Sequence, residues 1–126
     1  NQTLEYVRQW MIERMMIVGV ISLPAHTFVP FGAGPKSSIL ICVKPKDGIV
    51  PENYPVFFGK LSKIGYDVSG KVQYKRNEKG ELIDIDGKLI DEKDELSLQK
   101  RVIDTDIPEL IEAWNSFCEN NKQYMW

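Results

Sequence analysis

The chain has 126 residues, an apolar fraction of 43% with three tryptophans, and a formal charge of −2. That is one domain's length with enough apolar side chain for a core, which excludes an intrinsically disordered polymer. It also excludes a membrane-spanning helix, since no stretch reaches the roughly 18 to 20 consecutive apolar residues required.

The first element in chain order is a predicted helix over residues 3–15, capped by Thr3, with Leu4, Val7, Met11 and Met15 on one face. Residues 16–23 are β-branched and end at Pro24, which predicts a buried strand. A loop over 24–36, rich in Pro, Gly and Phe, precedes a second strand over 37–44, SSILICVK, closed by Pro45. Neighbouring strands joined this way usually pair antiparallel. Residues 46–54 form a turn-rich link, and 55–61, PVFFGKL, predict a third strand. Beyond a short turn at Ile64-Gly65-Tyr66, residues 71–90 alternate weakly around the turn signals Lys79-Gly80 and Asp86-Gly87, which predicts short exposed hairpins. No internal repeat stands out. The last helix begins at Asp106-Ile-Pro-Glu109, with Asp106 as its cap, and places Ile107, Leu110, Ile111, Trp114, Phe117 and Cys118 on one face. Such a face must dock on the rest of this chain or on a partner. A start without Met and the apolar ending Tyr124-Met125-Trp126 together predict a piece of a longer polypeptide.

Charge is unevenly spread. From Lys36 to Arg76 there are eight Lys/Arg against three Asp/Glu; from Asn77 to Leu96 there are three Lys against eight acids. The basic stretch could face phosphates, but on charge alone ordinary solvated surface explains it better. Cys42, in a strand run, and Cys118, in a helix, are expected to be free thiols in a reducing compartment. With one histidine, His26, and no CxxC pair, a zinc site is not expected.

Most catalytic patterns fail on spacing. GAGPKSS lacks the GxxxxGK[ST] arrangement and leads into a strand, not into a helix whose N-terminus could hold a phosphate. The serines and thiols have only His26 as an imidazole base and no GxSxG elbow. The acidic run Asp91-Glu92-Lys93-Asp94-Glu95 is contiguous, so its carboxylates need not converge. What remains is the loop with Phe28 and Phe31. On composition alone the two rings are better explained by a satellite cluster tucked under the loop.

Three stretches, in order, carry a family resemblance. VISLP with Phe28 four residues after Pro24, followed by PKSSILICVKPK, resembles the end of the catalytic domain of adenine-N6 DNA methyltransferases. The similarity is to the modification subunits of type I restriction-modification systems. Residues 64–70, IGYDVSG, and 104–117, DTDIPELIEAWNSF, are similar to later stretches of the same family.

The resemblance implies an α/β fold, the C-terminal portion of a Rossmann-like S-adenosylmethionine-dependent sheet. Its last two antiparallel strands and base-pocket loop would fall in residues 1–50. A C-terminal extension with hairpins and an amphipathic helix would occupy residues 51–126. It further implies that Phe28, with Phe31 as second choice, packs against the target adenine, and that Lys36 and Ser37 lie near the DNA backbone; His26 is a weaker candidate. Duplex DNA and the specificity and restriction subunits are the implied partners, the cytoplasm the implied location, and self-association is expected of the isolated fragment. The chain departs from the family in lacking the DPACGSG-type cofactor loop and the catalytic NPPF or NPPY, so alone it is expected neither to hold the cofactor nor to transfer a methyl group. The rival expectation is a non-catalytic interaction module that docks through its C-terminal helix.

Overall fold

A computed structural model describes residues 2–125. It is a small α/β chain with a three-stranded mixed sheet and a C-terminal helix. Contacts gather it into two compact units. The first holds the chain up to Leu23, Ser37–Leu61 and the stretch from Pro108 onward; the second holds Pro24–Lys36 and Ser62–Ile107.

In the first unit, α1 (Glu5–Arg14) leads into β1 (Met16–Ser22). Val7, Met11 and Met15 form the half-buried side of this first segment, while Leu4 is exposed. The expected cap is not used. Leu4 holds the N-cap position with no side-chain cap, and Thr3 falls in the preceding 3-10 turn. β1 is the central strand. It pairs antiparallel with β2 (Ser38–Val43), as the sequence predicts, and parallel with β3 (Phe57–Lys60). A bulge falls between Ile17 and Gly19, and Val18 at that irregularity is the one fully buried large side chain among the described residues.

Register decides what each face of the sheet carries. Gly19 lies between Ile41 and Phe57, and Ile21 between Ile39 and Gly59. Those residues share the face under α3 (Ile107–Asn120). A Cβ on Gly59 would meet Leu110 at 2.5 Å, and one on Gly19 would meet Trp114 at 3.2 Å. The two glycines thus admit the helix close to the sheet. Trp114 and Phe117 stack at 5.6 Å, and Phe57 meets Trp114 edge-on at 5.4 Å. Each ring pair adds about 0.5–1.5 kcal/mol beyond the area it buries. The helix therefore docks on this chain's own sheet. On the opposite face Val20 lies between Leu40 and Phe58; Leu40 is 48% and Phe58 77% exposed.

In the second unit one turn design recurs three times. Asp67, Asn77 and Asp84 each accept, through Oδ1, the amides two and four residues on. Each backbone carbonyl accepts the amide of a glycine three residues on, Gly70, Gly80 or Gly87. These glycines have φ of 84, 80 and 79°, where a side chain is strained. Short rungs flank the turns, at Tyr66–Val72, Arg76–Leu82 and Ile83–Leu89. DVSGK, NEKGE and DIDGK are thus an internal repeat, contrary to the sequence reading. Its spacing of ten and then seven residues hides it: the turn geometry recurs but the limbs differ in length. Asp106, expected to cap α3, instead accepts the amides of Ser62 and Lys63 through Oδ2 at 2.8 and 3.0 Å, while Thr105 Oγ1 accepts the amide of Ile107.

Candidate base-binding loop

The stretch 24–36 belongs to the second unit and is a ladder of tight turns. The amide of Thr27 donates to Pro24, that of Val29 to His26, and those of Phe31 and Ala33 both to the carbonyl of Phe28 at 3.0 Å. Pro30 enters the 3-10 turn Val29–Phe31, and Gly32 closes it at φ 87°. Phe28 sits at the turn's N-cap with φ −108° and ψ 3°, the geometry of the third residue in a type I turn, here the one closed by the Val29 amide on the His26 carbonyl.

The carbonyl of Phe28 is therefore held by two amides while the residue is 39% exposed. Phe31 is 73% exposed and touches Tyr66 edge-on at 6.2 Å. Neither ring is a core residue. Lys36 is exposed at the loop's C-terminal end. Ser37, the next residue, belongs to the first unit, is half-buried, and accepts the Leu23 amide through its carbonyl at 3.2 Å. The loop thus brings Phe28 and Phe31 onto one short turn, with Lys36 further along the chain.

Tyr66 is the residue that sequence reasoning passed over. Its hydroxyl donates to the Thr27 carbonyl at 2.6 Å. Its own carbonyl lies 3.1 Å from His26 Nε2; a carbonyl only accepts, so that nitrogen carries the hydrogen. Thr27 is buried, and its hydroxyl donates to the Pro24 carbonyl at 2.7 Å. His26 is thereby engaged in holding the loop. The signal available in sequence was the IGYDVSG stretch, but nothing in its spacing links residue 66 to residue 27.

A cleft of about 330 Å³ opens beside His26, lined also by Lys63, Tyr66, Asp67, Gln73 and Asp104. Its two carboxylates are already engaged. The Ser69 hydroxyl, and then the Lys71 and Ser69 amides, hold the Asp67 carboxyl below its ordinary range, and Asp104 pairs with Lys63 at 3.3 Å. Among the described residues no cluster of His, Cys, Asp or Glu has the arrangement to hold a metal ion, and both cysteines are free. No family model, curated protein or solved structure matches the chain.

Proposed function

We propose that this chain is the C-terminal part of an adenine-N6 DNA methyltransferase, of the kind that serves as the modification subunit of a type I restriction-modification system. In this reading β1 and β2 are the final antiparallel strands of a Rossmann-like sheet, and the loop between them forms one wall of the pocket for an adenine turned out of the duplex. The reading rests on the three family-like stretches in their order, and one structural observation supports it: two amides of the loop hold the Phe28 carbonyl while the residue stays partly exposed. A base leaving the duplex loses stacking worth a few kcal/mol, and an open aromatic face compensates part of that loss. Lys36, exposed on the same loop, would neutralise a phosphate of the strand that carries the flipped base.

The methyl group itself would come from S-adenosylmethionine. The residues of this chain do not fit that cofactor: it has no DPACGSG-type turn, and no NPPF or NPPY to orient the adenine amino group. Its part is the pocket wall and the extension beyond, the latter available to a specificity subunit. Reading the frame upstream of Asn1 tests the class. A DPACGSG-like loop and an NPPF there, with methyl transfer from labelled cofactor to adenine by the complete polypeptide, is the expected result. A complete polypeptide without those motifs, or one inert toward adenine in DNA, rejects it and leaves an interaction module.

A further inference from the structure

We propose that Tyr66 is a positioning residue that holds the aromatic loop in the shape in which Phe28 presents its ring. The inference rests on the base-binding reading for its consequence, and on geometry within the second unit for its substance. Three loop residues converge on this one tyrosine. The Thr27 carbonyl takes its hydroxyl hydrogen at 2.6 Å, the His26 imidazole donates to its carbonyl at 3.1 Å, and Phe31 meets its ring edge-on at 6.2 Å. His26 also meets the ring edge-on, at 6.3 Å. These contacts lie on either side of Phe28 in the chain.

The turn that follows extends the support. A Cβ on Gly70 would lie 3.2 Å from Pro30, so the 67–70 turn approaches the loop's own 3-10 turn closely. Asp67 keeps that turn closed through the Ser69 and Lys71 amides. Tyr66 and the turn after it therefore act as one brace, built from the IGYDVSG stretch, under residues 26–31. A loop without such a brace would spend entropy on ordering when a base arrives, which weakens capture without touching cofactor affinity.

Tyr66→Phe removes the hydroxyl and keeps the ring, so the fold is retained. Hydrogen exchange followed by mass spectrometry on this chain should then show amides of Val29, Phe31, Gly32 and Ala33 exchanging about fivefold faster, as expected for loss of one hydrogen bond of ordinary strength. Amides of β1 and β2 should keep their wild-type rates. Unchanged loop rates overturn the proposal, and so does an equal acceleration of loop and sheet, which marks general destabilisation. In the complete enzyme the same variant should raise KM for DNA several-fold with KM for S-adenosylmethionine unchanged; a parallel rise in both also overturns it. A loosened loop with wild-type DNA kinetics would instead support the brace and count against the base-stacking reading of Phe28. Gly70→Ala, which adds a Cβ 3.2 Å from Pro30 at a position of φ 84°, should loosen the same amides by straining the turn that follows Tyr66.

Discussion

Phe28 is held through its carbonyl and is partly exposed, a contrast that only the fold reveals. The sequence places two phenylalanines on a loop; it does not show that one carbonyl accepts two amides, because such a hydrogen bond depends on φ and ψ and not on residue type. Carboxylates offer a separate prediction at this scale. Asp67, Asp94 and Asp106 all lie below their ordinary value of 3.8. For Asp67 the Ser69 hydroxyl is the main cause, for Asp94 the Leu96 amide, and for Asp106 the Ser62 amide followed by that of Lys63. Folding therefore favours the ionised form. The stability they contribute is complete above the ordinary carboxylate range and is lost as pH falls through the lowered values. Urea unfolding between pH 6 and pH 3 should show a falling midpoint with falling pH. In Asp106→Asn the fall should be shallower, because that variant cannot take up a proton there.

Among the elements, β1, β2 and α3 were legible, since the two strands are apolar runs closed by Pro24 and Pro45 and the helix carries an early proline and one apolar face. The pairing of β1 with β2 followed from chain proximity. The parallel pairing of β3 with β1 was not legible, because β3 follows a long link that says nothing about direction. The hairpins were legible as turns and not as a repeat. Their glycines make an energetic prediction. At Gly80, φ is 80° and nothing lies within 4 Å of an added Cβ, so Gly80→Ala costs backbone strain alone, about 1–2 kcal/mol. Gly34 also has open space but no positive φ, so Gly34→Ala should be neutral or slightly stabilising. Equal losses for the two variants in chemical denaturation would contradict the turn assignment.

At the scale of the whole molecule, buried hydrophobics are few among the described residues: Met16, Val18, Ile21, Leu23 and Leu61 in the first unit and Leu82 in the second. Much apolar surface is left over. Val20, Leu40 and Phe58 line up across the sheet face opposite α3, and β2 and β3 are both edge strands. Edges and faces of that kind invite further pairing. The isolated chain should therefore show concentration-dependent association by sedimentation velocity, and Phe58→Lys should shift it toward monomer. A wild-type chain that stays monomeric up to about 100 μM, where a dimer with a Kd of about 10 μM would already prevail, would show that the open face is tolerated.

The proposed function turns on Phe28 stacking on an extruded purine. Its most direct measurement is methyl transfer by the complete enzyme carrying Phe28→Ala, with S-adenosylmethionine affinity determined in parallel. Loss of one base–aromatic stack, about 1–3 kcal/mol, predicts a fall in kcat/KM for DNA of about 5- to 150-fold, with cofactor affinity unchanged. Wild-type kcat/KM in that variant would contradict the account.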